Sequence, residues 1–226
     1  MNRQLPLSFA LHERFLLERF EPGGNAEAVD RLCSLSSSSG FECVWVWGPP
    51  GIGKSHLLQA ICQREHDAVA YLPAAEIEAG DVDLAGYDEF CCVLLDDVDR
   101  WLGHRGAEES LFGLYNGLLA RNGALALTTT VSPAQANFEL YDLASRARAA
   151  ACYELVPLPD ESKAQVLTLA ALDRGLTISG EVVEFMMRRT ARDLPALLEA
   201  LDKLDRESMA AQRRITIPFV KRVLGL

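Results

Sequence analysis

Eight residues constrain this chain more than any others: Gly48-Pro49-Pro50-Gly51-Ile52-Gly53-Lys54-Ser55 fills every fixed position of the pattern G-x-x-x-x-G-K-[ST]. The run before it, Cys43-Val44-Trp45-Val46-Trp47, is apolar, and the run after it places Leu57, Leu58, Ile61 and Cys62 at helical spacing. The context is therefore strand, loop, helix. Glycines in such a loop let backbone N–H groups turn inward on a polyphosphate, and the helix N-terminus beyond them adds partial positive charge. Lys54 is expected to reach the β/γ-phosphates and the Ser55 hydroxyl to take a magnesium position, with Gly48 to His56 as the nucleotide-binding run.

A second apolar strand, Phe90-Cys91-Cys92-Val93-Leu94-Leu95, stops on two acids, Asp96 and Asp97. A parallel strand buried on both faces reads this way, and ligands of doubly wound sheets gather at such strand ends. Asp96 is placed to orient magnesium opposite Ser55. Asp97 occupies the place where many ATPases keep a glutamate that positions water, and one methylene less of reach predicts slow intrinsic hydrolysis. Further strands are expected at Ala68–Leu72, Ala124–Thr130 and Cys152–Val156. Helices are expected at Ala26–Leu35 and Ala107–Arg121. Of the three threonines ending the strand at 124–130, Thr129 or Thr130 is the expected neighbour of the nucleotide.

Beyond Pro157 and Pro159 every segment is helical in pattern: Ser162–Arg174, Ser179–Thr190, Leu194–Gln212 and Pro218–Leu224. Each apolar stripe is too narrow to stand alone, which predicts a small bundle with Met186 and Met187 as filler. The expected organisation is an extended N-terminal peptide at 1–12, a nucleotide-binding base at 13–157 and a helical lid at 158–226.

Composition excludes several classes. With 226 residues and 49% hydrophobic content the chain can bury one good core or a core plus a small appended one. No apolar run approaches the roughly 20 residues of a membrane span. With no apolar leader after Met1, a cytoplasmic protein is expected. The formal net charge of −10 argues against a nonspecific grip on DNA and for protein partners. Six cysteines without a C-x-x-C pair read as reduced core residues, and the four histidines form no ligand-spaced cluster.

Near the start, Gln4-Leu5-Pro6-Leu7-Ser8-Phe9 alternates apolar side chains after a glutamine. Such a segment can dock in a partner's pockets, or pack as a strand on its own domain. It resembles the peptide with which bacterial replication proteins dock on the DNA polymerase sliding clamp, Gln4, Leu5, Leu7 and Phe9 being the matching positions.

Gly48–Ser55, Asp96-Asp97, the element Leu143-Ala144-Ser145-Arg146, the helical tail and the run Arg214-Ile215-Thr216-Ile217-Pro218-Phe219-Val220 together resemble bacterial AAA+ ATPases of the DnaA type, and most closely the Hda family of DnaA-related regulators. The resemblance implies an α/β AAA+ P-loop fold, a parallel five-stranded sheet flanked by helices with a small all-helical lid. It implies ATP or ADP with Mg2+ as ligands, and the sliding clamp and the DnaA initiator as partners, with self-association through AAA+ surfaces. Arg146 would be an arginine finger offered in trans to ATP held by DnaA, and Arg192 the lid arginine facing the phosphates. Initiators of the DnaA type carry a helix-turn-helix DNA-binding domain after the lid; none is expected here, so neither is sequence-specific DNA binding. The other functions compatible with the motifs are an independent ATPase of helicase-loader type and a nucleotide-fixed adaptor with no catalytic part.

Overall fold

The computed structural model describes residues 17, 20–65, 68–190, 193–211 and 214–226. Gln4, Leu5, Leu7, Phe9 and Arg192 lie outside the described residues. The chain divides into two compact units between Val156 and Pro157.

The first unit is built on five parallel strands in the order β2-β3-β4-β1-β5. These are β1 (Glu42–Trp47), β2 (Val69–Pro73), β3 (Cys92–Asp96), β4 (Ala124–Thr129) and β5 (Ala151–Glu154). Helices α1 (Ala26–Ser34), α2 (Lys54–Glu65), α3 (Arg105–Arg121) and α4 (Tyr141–Ala149) complete it. The register follows from alternation along each strand. Val44 and Val46 of β1, with Ala124 and Ala126 of β4, pack among Leu32 of α1 and Leu57, Leu58 and Ile61 of α2. Trp45, Leu125 and Leu127 point the other way, among Leu111, Leu114 and Leu118 of α3 and Leu143 and Ala147 of α4. Helices thus cover both faces, which is why β3 and β4 are buried at every position.

The strand order places β4 between β3 and β1, with Leu95 beside Leu127 and Trp47 beside Thr129. Three strand ends therefore meet at one edge: the start of the loop at Gly48, the acids after Leu95 and the threonines of β4. Strand β3 starts two residues into its apolar run, and it ends at Asp96 because Asp97 turns into the left-handed region, at φ 54° and ψ 46°. Helix α3 stops where Asn122 adopts the left-handed conformation, at φ 56°.

The second unit is all-helical: α5 (Asp160–Asp173), α6 (Gly180–Arg189), α7 (Leu194–Ala211) and α8 (Ile217–Leu224). Its core is Leu167 and Ala171 of α5, Val182, Val183 and Met186 of α6, Leu197, Leu201 and Leu204 of α7, and Phe219 and Val220 of α8. Ser179 caps α6 by accepting the Val182 amide at 3.4 Å, and Pro218 occupies the first turn of α8, where its missing N–H costs nothing. Asp202 of α7 accepts two bonds from Arg174, at 2.6 and 2.8 Å, tying α7 to the end of α5.

One expectation from composition needs correcting. Cys62 and Cys92 are core residues, but Cys91 and Cys152 are exposed, because each sits at the start of a strand where the cover of helices ends. Burial nonetheless pushes all six thiols above their ordinary range, Cys43 to about 12, so none gains thiolate character. No described helix is long and apolar enough to cross a membrane.

Candidate functional site

The loop 48–53 leaves the buried end of β1 and hands the chain to α2. Gly51 at φ 77° and Gly53 at φ 108° hold backbone conformations that a side chain would strain. Their positions fix the curl of the loop just before the first turn of α2. Lys54 is buried, and its ammonium donates to the carbonyls of Gly48 at 2.9 Å and Pro49 at 3.3 Å. Its charge is thereby kept inside the loop. Ser55 stands half-buried in the same first turn of α2, while Pro49 and Pro50 are exposed at the loop tip.

His56, the next residue, packs edge-on against Phe20, the ring centroids 5.5 Å apart. Burial lowers its pKa to about 4, so it is a neutral ring at pH 7.

The acids stand opposite. Asp96 is 3% exposed, the last residue of β3 on the face that carries α2. Its Oδ1 accepts the Thr128 hydroxyl at 2.6 Å and its Oδ2 accepts the Tyr71 phenol at 2.9 Å. Gln59 of α2 donates to that phenol at 3.1 Å. Thr128 also accepts the Asp97 amide at 2.8 Å, which secures the left-handed turn just after the strand. Burial first, and the adjoining Asp96 charge second, push the Asp97 carboxyl above its ordinary range, against the pull of Lys54.

Strand alternation decides which threonine meets the acids. Thr128 shares the α2 face with Asp96, so its hydroxyl meets the acids. Thr129 faces the other side, where it accepts the Trp45 indole N–H at 2.6 Å and donates to the Val131 carbonyl at 2.7 Å. Thr130 lies past the strand, its amide and hydroxyl both bound by Asp99, at 2.8 and 2.9 Å. Neither of these two hydroxyls is turned toward Asp96.

Arg146 belongs to a separate place. It is exposed on α4, with its guanidinium carbon 5.5 Å from the centre of the Tyr115 ring of α3. Helices α3 and α4 cover the sheet face opposite α2. The structure therefore gathers Gly48 to His56, Asp96 and Asp97 at one strand edge and keeps Arg146 on the far face.

Three polar residues went unmarked in the sequence. Tyr71 and Gln59 complete the surroundings of Asp96. Glu108 is fully buried in α3 and accepts the amides of Gly103 at 2.7 Å, Glu139 at 3.0 Å and Leu140 at 2.6 Å. An acid inside an otherwise apolar helical stripe is the signal that could have found Glu108. Tyr71, at an interior strand position two residues before Pro73, carries no comparable mark.

The donor set suits a phosphate ligand with a hard cation: loop amides, one ammonium, one hydroxyl and one carboxylate. Among the described residues no three His, Cys, Asp or Glu side chains gather as an all-protein metal cluster.

The family model described as the lid domain of Hda matches residues 160–224. An uncharacterised protein of Haemophilus influenzae is 36% identical over 231 residues, covering 100% of both chains. Among solved structures, domain III of the Thermotoga maritima replication initiation protein DnaA superposes with a TM-score of 0.82 at 21% identity, over 96% of this chain and 98% of that one. DnaA of Aquifex aeolicus bound to AMPPCP gives 0.70 at 19% identity, over 89% and 70%. The RuvB Holliday junction branch migration motor of Thermotoga maritima gives 0.66 at 17% identity, over 88% and 68%. At these identities the solved structures establish the fold, and the lid supplies the narrower assignment. The second unit thus matches the lid domain of Hda over residues 160–224, and the five-stranded first unit has the fold seen in the DnaA and RuvB structures.

Proposed function

We propose that this protein regulates replication initiation: it holds an adenine nucleotide at residues 48–56, docks on the DNA polymerase sliding clamp through Gln4, Leu5, Leu7 and Phe9, and promotes hydrolysis of ATP held by a DnaA partner. The observation that carries this reading is the position of Arg146. An exposed guanidinium steadied on Tyr115, on the sheet face opposite the chain's own phosphate loop, suits a charge offered to a neighbouring subunit. The match of an Hda lid supports the same assignment, and the AMPPCP in the related DnaA structures supports an adenine nucleotide.

In this reading the amides around Gly51 and Gly53 cradle the phosphates, and Lys54 exchanges the carbonyls of Gly48 and Pro49 for phosphate oxygens. Ser55 would hold Mg2+ and Asp96 would orient it or its water shell, and the ion when bound would neutralise charge on the phosphate oxygens. Asp97 stands where a water would be oriented, with shorter reach than a glutamate, so the chain's own turnover is slow. Arg192 would close on the phosphates from the lid. The nucleotide then acts chiefly to set the conformation in which Arg146 is presented, and self-association through AAA+ surfaces is compatible with that role.

The test is an ATPase assay with purified DnaA initiator, DNA-loaded clamp and this protein. Turnover stimulated only when all three are present is the expected result. Equal turnover without the clamp would remove the docking role of Gln4 to Phe9. Comparable turnover by this chain alone would favour an independent ATPase of helicase-loader type, and none in any mixture would favour an adaptor.

A further inference from the structure

Asp96 is a buried carboxylate whose two oxygens each accept a hydroxyl hydrogen, from Thr128 at 2.6 Å and from Tyr71 at 2.9 Å. The direction of the second bond is fixed by its neighbours. Gln59 presents an amide N–H to the phenol oxygen at 3.1 Å, and an amide N–H can only donate. The phenol therefore accepts from Gln59 and spends its single hydrogen on Asp96. Gln59 lies one turn and a half along α2 from Lys54, so the same helix that starts the phosphate loop's lysine also orients the phenol.

We propose that Tyr71 is a positioning residue of this site: with Thr128 it gives each oxygen of Asp96 a hydrogen bond from within the protein, so that a nucleoside diphosphate is held with little dependence on magnesium. The inference rests on the reading of residues 48–56 as a nucleotide site. A buried carboxylate with an open oxygen draws in a cation, or a cation-bound water, to replace the hydration it lost. Here each oxygen already accepts one bond from within the protein, and that draw is reduced. The diphosphate's charge is met by Lys54 and the loop amides, neither of which involves Asp96.

Calorimetric titration with ADP, in MgCl2 and in EDTA, tests this on the wild-type chain and on Tyr71→Phe. The wild type is expected to lose less than about threefold in affinity on removing magnesium. Tyr71→Phe leaves Oδ2 open and is expected to lose about tenfold or more, the worth of one hydrogen bond to a charged group. A merely structural loss would weaken both buffers equally and leave the ratio where it was. Gln59→Leu, which keeps the phenol but frees its direction, is expected to fall between the two, and provides the comparison should Tyr71→Phe fold poorly. In the absence of nucleotide, MgCl2 alone is expected to raise the melting temperature of Tyr71→Phe and not that of the wild type. A tenfold or larger magnesium dependence in the wild type, or the same ratio in all three proteins, overturns the assignment. Absence of ADP binding by the wild type in both buffers overturns the nucleotide reading itself, and this one with it.

Discussion

Thr128 joins the two acids at the strand edge, giving its hydroxyl hydrogen to Asp96 at 2.6 Å while receiving the Asp97 amide at 2.8 Å. One small side chain thus satisfies a buried carboxylate oxygen and holds the next residue in a left-handed turn. The adjoining strand β4 is what makes this possible, since it alone lies between β3 and β1.

Thr128→Val keeps the shape and removes both bonds. It is expected to destabilise the base by about 1–3 kcal/mol, the cost of leaving buried polar groups without a partner. Thr128→Ser, which keeps the hydroxyl, should recover most of that loss beyond the cost of a missing methyl. Urea unfolding of the three proteins measures it; equal midpoints for Thr128→Val and wild type would show that the two bonds carry no net stability.

Glu108 gathers the loop that leads into α4. Its carboxylate accepts the amides of Gly103, Glu139 and Leu140, and Leu140 immediately precedes the helix that bears Arg146. In Glu108→Gln the side-chain NH2 confronts an amide donor. A loss of about 2–3 kcal/mol is expected, with faster hydrogen exchange over residues 137–141 before the rest of the base opens. Uniform exchange across the base would argue that the loop is held by other means.

Much of the base was readable in the chain, because β1, β3 and β4 are each built on an apolar run and the phosphate pattern fixes what surrounds them. The ends of α3, α5, α6 and α8 were readable to within a residue, from apolar stripes that stop near Asn122, Gly175 and Thr190, whereas the starts of α3 and α5 were placed two residues late. The identity of the threonine beside Asp96 was not, because Thr128, Thr129 and Thr130 are chemically alike. Only the register of β4, pairing Thr129 with Trp47, decides which one shares a face with the acid. Tyr71 and Gln59 were hidden for the same reason: they stand 12 residues apart in sequence and meet only when β2 lies alongside β3 under α2. The end of β3 was overrun by one residue, since nothing in Asp97 itself announces the left-handed turn that Thr128 stabilises.

His56 makes the base sensitive to acid. Packed against Phe20, its pKa falls from the ordinary 6.5 to about 4. The unfolded chain binds a proton near pH 6.5 that the folded chain refuses until near pH 4. Stability is therefore unaffected by this group above pH 6.5 and declines as pH falls from 6.5 toward 4, by up to about 3 kcal/mol. Unfolding midpoints of wild type and His56→Phe across that window check the sign. The gap between the two proteins should narrow or invert in favour of the variant as pH drops; a constant gap would mean the ring is not the group responsible.

The proposed finger Arg146 rests on Tyr115 on the far face of the sheet, and the two can be tested apart. Arg146 is exposed, so Arg146→Ala should shift stability by no more than about 0.5 kcal/mol. A finger in trans is worth far more than that to phosphoryl transfer, and the same change is expected to reduce stimulation of DnaA-bound ATP hydrolysis by about a thousandfold or down to the unstimulated rate. Tyr115→Leu removes the ring beneath the guanidinium and leaves the charge. It is expected to cost only a few-fold, in line with the modest worth of an exposed cation–ring pair, while Tyr115→Phe retains the ring face and most of the stimulation. The assay is ATP hydrolysis by the initiator with DNA-loaded clamp, and clamp binding measured alongside should be unchanged in all three variants. If Arg146→Ala stimulates as well as wild type, the charge at this helix end is a surface cation and the catalytic part of the proposal fails, whereas a lost clamp interaction would instead place Arg146 in docking.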